Sequence, residues 1–135
     1  MRLLLDIHAF IWMLEAPEKL SARVVQAHDD ASHTLLVSVV SLWEIQIKRA
    51  LGKLDMEVPL AQIVREQIDT RRYALLDIRA EHVLALDALP RHHGDPFDRL
   101  LIAQAQAERV PLISTATSLR AITWSCSGRS MGAAG

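Results

Sequence analysis

The sequence predicts an α/β fold with a central, mostly parallel sheet covered by helices on both faces. Three observations carry this. Short apolar runs of strand length alternate with helical stretches, the pattern of right-handed crossovers in a parallel sheet. The first run, LLLD (3–6), is apolar until its final acid, as suits a parallel strand buried on both sides. Residues that start and stop helices fall between the runs.

The elements follow in order. After LLLD, residues 7–15 read as a helix, and 21–30 as a second with Ser21 as N-cap. TLLVS (34–38) is the second strand. Ser41 opens a helix to about Leu51, stopped by Gly52. Pro59, at a first helical position, leads a helix to about Arg72. YALLDI (73–78) is the third strand, and a short helix covers 80–88. Asp95 starts a longer helix to about Glu108, followed by the strand PLIST (111–115). AITW (121–124) reads as a small edge strand, giving one domain over 1–124. The small, polar tail SCSGRSMGAAG (125–135) reads as disordered.

Composition narrows the function classes. At 135 residues, half hydrophobic and 23% charged, the chain has ordinary globular composition and the length to bury a core. Its apolar stretches are far shorter than a membrane span, and MRLLLD reaches an acid too early for a signal peptide. Cys126 is the only cysteine, which excludes a disulfide framework and a thiolate metal cluster. These features predict a cytoplasmic protein with no membrane association. With a net charge of −1, a polyanion would need more than overall charge to hold it, and a bound divalent cation supplies that. Basic residues do gather locally, at Arg65, Arg71 and Arg72 and at Lys48, Arg49 and Lys53.

In parallel α/β sheets, ligands sit beyond the carboxyl ends of the strands, and the acids fall there. Asp6 ends the first strand, either as a crevice carboxylate or as N-cap of the next helix. Glu44 lies in SLWE (41–44), which has the capping-box pattern with Ser41 as cap. Its helix follows the second strand, so the carboxylate can cap, bind metal, or do both. In HHGDPFDRLLIAQA (92–105), Asp95-Pro96 reads as N-cap and first-turn proline, leaving Asp98 at the third helical position without a capping task. Three converging carboxylates stay ionised only around a cation. Oxygen-only ligation suits Mg²⁺ or Mn²⁺, and the chemistry implied is phosphodiester hydrolysis.

Rival sites are poorer. His92 and His93 are adjacent and do not both face one ion easily, while His8, His28, His33 and His82 lack ligand spacing. Glycine-rich phosphate loops are absent, as is a G-x-S-x-G nucleophile elbow.

LLLDIHAFIW (3–12), VSVVSLWEIQIKRALGKL (37–54) and LPRHHGDPFDRLLIAQAQAERVPLIST (89–115) together resemble the PIN-domain family, in particular its VapC-type toxins from toxin–antitoxin pairs. The resemblance implies a PIN-like three-layer fold and a Mg²⁺-dependent ribonuclease, usually dimeric, inhibited by an antitoxin whose tail covers the active-site groove. By position, Asp6, Glu44 and Asp98 match the family's metal-binding acids, and Asp95 matches a frequent neighbouring acid. Arg99 or Lys48 are candidates to position phosphate.

Two departures stand out. Ile7 replaces a common threonine beside the first acid, and Ala116 stands where a fourth acid often follows the last strand. Hydroxyls of Ser114, Thr115 or Thr117 are candidates to hold a metal-bound water instead. Phe10, Ile11, Trp12, Leu14, Trp43 and Ile47 form two apolar helical faces, read mainly as core. Trp12 and Trp43 are large enough to be candidates for an antitoxin groove or a dimer contact. Two alternatives remain: a PIN-like module that binds RNA or antitoxin without cutting, and a metal-dependent phosphodiesterase of small nucleotides.

Overall fold

The computed structural model describes residues 1–56, 58–89 and 95–114. Four parallel strands, β1 (Arg2–Leu5), β2 (Thr34–Ser38), β3 (Ala74–Leu76) and β4 (Leu112–Ile113), lie in the order β3-β2-β1-β4. Helices α1 (Ile7–Glu15), α2 (Ala22–Asp29), α3 (Val39–Ala50), α4 (Leu60–Ile63), α5 (Ala80–Leu84) and α6 (Pro96–Glu108) supply the crossovers. The edge strand expected at 121–124 and the tail 125–135 lie outside the described residues, as do His92, His93, Thr115, Ala116, Thr117 and Cys126.

Strand β1 is central because its sequence permits nothing else. Leu3, Leu4 and Leu5 are apolar on successive residues, so both faces of the strand must be covered. All three are at most 1% exposed. Leu3 and Leu5 join Leu35 and Val37 in a core closed by α1, α2, Ile45 of α3 and Ile63 of α4. Leu4 joins Leu36 and Leu112 in the opposite core, closed by Leu101, Ile102 and Ala105 of α6. The result is the three-layer arrangement the alternation predicted. On the first side, Tyr73 packs edge-on against Phe10 at 5.3 Å between ring centroids, and its hydroxyl donates to His28 Nε2.

Several element boundaries differ from the sequence reading, β1 among them, which runs Arg2–Leu5 rather than 3–6. Helix α3 begins at Val39, with Ser38 as N-cap accepting from the Val40 N–H at 3.0 Å. Ser41 therefore sits inside the first turn, its buried hydroxyl has no hydrogen-bond partner among the described residues, and the expected capping box does not form. The cause is tertiary: Val39 and Val40 look like more strand, but Ser38 is already able to cap and Val40 is buried as a helical residue. Pro59 is the N-cap of α4, its carbonyl accepting from Gln62 and Ile63, rather than the first helical residue. Helix α4 then widens into a π-helical stretch over Val64–Asp69. The third strand shortens from 73–78 to three residues, since Tyr73 is drawn into the core and β3 is an edge strand.

Candidate active site

Parallel strands bring their carboxyl ends to one edge, and the sequence places Asp6, the start of α3 and Ser114 there. Asp6 is 2% exposed, follows β1 directly and takes the N-cap role weighed for it on α1. One carboxylate oxygen accepts from the Ala9 N–H at 2.7 Å, and Ser114 Oγ donates to the other at 2.6 Å. Ser114 directly follows β4, so this bond fixes a carboxylate from the first strand to a hydroxyl from the last.

Glu44 is 3% exposed. With Ser38 as cap it stands at the sixth helical position, too deep in α3 to serve a free N–H, and so carries no capping function. Its Oε2 instead meets Lys48 Nζ at 2.6 Å, one turn along the same helix. Burial opposes the charge on Lys48, but the hydrogen bond and charge of Glu44, with Asp95 and Asp98, outweigh it and hold the ammonium above its usual range.

The cap expected of Asp95 forms at the start of α6. Asp95 is the N-cap, accepting from the N–H groups of Phe97 (2.8 Å) and Asp98 (3.3 Å), with Pro96 at the first helical position. Asp98, partly buried at the third position, has its carboxyl pushed up to about 6. Burial is the main cause, followed by the charges of Asp95, Glu44 and Asp6. Acids from the end of β1, from α3 and from the start of α6 thus act on one another electrostatically.

The donor set fits a hard divalent cation. It is all oxygen, it is buried or partly buried, and the charges of Asp95, Glu44 and Asp6 raise the proton affinity of Asp98. Asp6, Glu44 and Asp98 would hold the ion, with Asp95 beside them. Among the described residues, the group whose ligand atoms all lie within 4.8 Å of one another is a different one, Glu81, His82 and Glu108. Its atoms are already committed. His82 Nδ1 accepts from the Arg79 N–H and Nε2 donates to Glu108, each at 2.9 Å; Glu108 also binds Arg2, and Glu81 binds Arg79. This set ties α5 to the far end of α6, about 15 Å along the helix from Asp98.

Around the crevice, Trp43 is 53% exposed and stands edge-on to Phe97 at 5.0 Å. Each aromatic is the chain neighbour of a crevice acid. Trp12 is partly buried against the core, with Lys19 Nζ 5.5 Å from its ring. Arg99 donates to the Leu86 carbonyl at 3.3 Å, tying α6 to the turn after α5. The sequence reading overlooked the Glu44–Lys48 pair, although the i,i+4 spacing of acid and base was available to it. It also overlooked Gln104, fully buried in α6, whose side chain accepts from Ser38 Oγ and donates to the Asp77 carbonyl. A glutamine on an apolar helical face was the visible signal.

The sequence profile of the PIN domain matches residues 3–123. The chain belongs to the PIN-domain family, whose members are generally nucleases. No curated protein sequence matches it significantly. Among solved structures, it is similar to a chain of VapBC2 from Rickettsia felis bound to a promoter DNA fragment, with a TM-score of 0.64 and 14% identity over 90% of this chain and 93% of that one. A toxin–antitoxin complex from Klebsiella pneumoniae contains a chain matching with a TM-score of 0.63 and 16% identity, over 95% and 98% of the two chains. For VapBC-1 from nontypeable Haemophilus influenzae the TM-score is 0.56 and the identity 20%, over 87% and 89%. At these identities the likeness is one of fold.

Proposed function

We propose that this protein is a VapC-type toxin, a Mg²⁺-dependent endoribonuclease acting in the cytoplasm and inhibited by a cognate antitoxin. The reading is supported by a PIN-domain chain in which Asp6 follows the first strand, Glu44 is buried in the helix after the second, and the charges of both act on Asp98. A bound Mg²⁺ or Mn²⁺ would supply Lewis acidity at a phosphoryl oxygen and make water a better nucleophile. The chain's own residues prepare the site for RNA. Ser114 and the Ala9 N–H hold the Asp6 carboxylate in one orientation. Asp98, with its carboxyl near 6, exchanges a proton close to neutrality and is poised to be ionised by a cation. Thr115 is a further candidate to hold a water there.

The toxin–antitoxin context of the similar structures supports an antitoxin partner. Trp12 and Trp43 are the groove candidates for it, and a homodimer is the expected assembly. Among the described residues, no helix is long and apolar enough to cross a membrane. Incubating the purified protein with total RNA tests the proposal: cleavage with Mg²⁺, none with EDTA, and none for Asp98→Asn. RNA left intact under all metal conditions, by a folded protein that retains antitoxin binding, favours the second reading. That reading is a PIN-like module without turnover, and Ala116 in place of a fourth acid supports it.

A further inference from the structure

Lys48 Nζ meets the carboxylate of the buried Glu44, and the charges of Asp95 and Asp98 also act on this ammonium. Its contact is specific. Nζ lies 2.6 Å from Glu44 Oε2, while the Glu44 side chain is only 4% exposed and that of Lys48 29%. A buried carboxylate needs a cation, and a lysine four residues after a glutamate on a helix is well placed to provide one. The long stem of Lys48 reaches out to solvent, so the ammonium can leave Glu44 without unfolding anything. A hard ion drawn to the same carboxylate meets the repulsion of Nζ.

We infer that Lys48 is the resident counter-cation of the acid cluster, holding Glu44 in the metal-free protein and yielding it to the divalent ion, so that the two cations compete for one carboxylate. This rests on the metal reading above and goes beyond it. Lysine is here a positioning residue: it sets the metal affinity and keeps the empty crevice from repelling itself open. The opposite role is equally concrete. If Lys48 kept Glu44 Oε2 while the ion took Oε1, it would orient a ligand and strengthen metal binding.

Calorimetric titration with Mn²⁺ separates the two, using the full chain and its Lys48→Gln and Lys48→Arg variants. Competition predicts that Lys48→Gln binds Mn²⁺ about five- to tenfold more tightly, melts lower than the parent in EDTA, and gains more from added ion. Lys48→Arg, which keeps the charge, stays close to the parent in EDTA. Weaker or unchanged Mn²⁺ binding by Lys48→Gln overturns the inference and leaves the metal reading standing. Binding of no ion to either protein overturns both. A second measurement needs no variant: reductive methylation of the parent protein, followed by peptide mass spectrometry. Lys48 should react more slowly than Lys53 in EDTA and speed up severalfold when Mg²⁺ is added. A Lys48 rate that stays constant or falls with Mg²⁺, in a protein shown to bind it, also overturns the exchange.

Discussion

Ser114 Oγ donates to Asp6 Oδ2 at 2.6 Å, joining residues 108 positions apart at the mouth of the crevice. Both side chains are at most 2% exposed, so neither has ready access to water as a substitute partner. A buried hydrogen bond to a charged group contributes roughly 1.5–3 kcal/mol. Ser114→Ala should therefore lower unfolding stability by about that amount and weaken Mn²⁺ binding as Asp6 gains orientational freedom. Denaturant titration and calorimetry check the two effects. Stability lost with metal affinity intact would show that the bond serves the fold alone.

Asp98 makes stability depend on pH in a sense opposite to most carboxylates. Its folded-state carboxyl is raised from 3.8 to about 6, so between these values the folded protein keeps a proton that the unfolded chain has released. Stability is full below about 4 and declines as pH rises through 6. Because the group is only partly buried, the loss should be about 1–2 kcal/mol. Asp98→Asn should flatten the decline in EDTA, leave melting at pH 7 no lower than in the parent, and abolish Mg²⁺-dependent cleavage. Asp95→Ala should instead cost about 0.5–2 kcal/mol as a lost N-cap. If Asp95→Ala is the variant that folds fully but cannot cut, the roles of the two acids are reversed.

Ser41 tests the boundary of α3. Were it the cap of a capping box, Ser41→Ala would cost about 0.5–2 kcal/mol. The structure places its hydroxyl in the interior with no partner among the described residues, so removing it relieves an unpaired polar group. The expected outcome is a protein as stable as the parent or about 1 kcal/mol more stable, read by thermal or denaturant unfolding. Ser38→Ala should carry the capping loss, since Ser38 accepts from Val40 and donates to Gln104.

These cases show which parts of the molecule were legible in the sequence. Leu3, Leu4 and Leu5 announced a central strand because an uninterrupted apolar run has no other soluble use. Asp95-Pro96 announced its helix start because cap and proline act locally. At Val39 and Val40 local preference favoured strand, but Ser38 caps the helix before them and Val40 is buried as a helical residue. The widening of the helix over Val64–Asp69 has no local signature in the sequence. Asp6 and Asp98 could be picked out from their places at a strand end and a helix start, but Glu44 lies deeper in α3 than its motif suggested, and the electrostatic coupling of the three belongs to tertiary structure. Lys48 was within reach of the i,i+4 rule. Its importance depends on how deeply Glu44 is buried, which spacing alone does not reveal.

Trp43 and Trp12 separate by exposure, and so should their variants. Trp43 is 53% exposed beside Phe97, whereas Trp12 is partly buried against the core. Trp43→Ala should leave unfolding stability within about 1 kcal/mol of the parent. It should weaken binding of the antitoxin by about 2 kcal/mol or more if this indole is an interface hot spot. Trp12→Ala should cost stability first. Unchanged antitoxin affinity in both folded variants, measured by surface-immobilised binding, would exclude the pair from the groove.

The final prediction concerns Ala116, two residues beyond Ser114 and outside the described residues. Asp6, Glu44 and Asp98 supply three negative charges, with Lys48 offsetting one of them. That suffices for one Mg²⁺ that keeps several of its waters. A second ion at the roughly 3.5–4 Å spacing of two-metal sites needs further anionic support, which an alanine does not give. The free protein should therefore bind one ion, and cleavage should require high Mg²⁺. Ala116→Asp should lower that requirement and raise the rate, and Mn²⁺ should help the parent more than the variant. Mg²⁺ titrations of RNA cleavage for both proteins, beside calorimetric ion counts, decide the matter. A parent that already cuts at low Mg²⁺, with both curves unmoved by the added aspartate, makes the fourth acid irrelevant here. A parent that never cuts, beside a variant that does, establishes a binding module that one carboxylate restores to an enzyme.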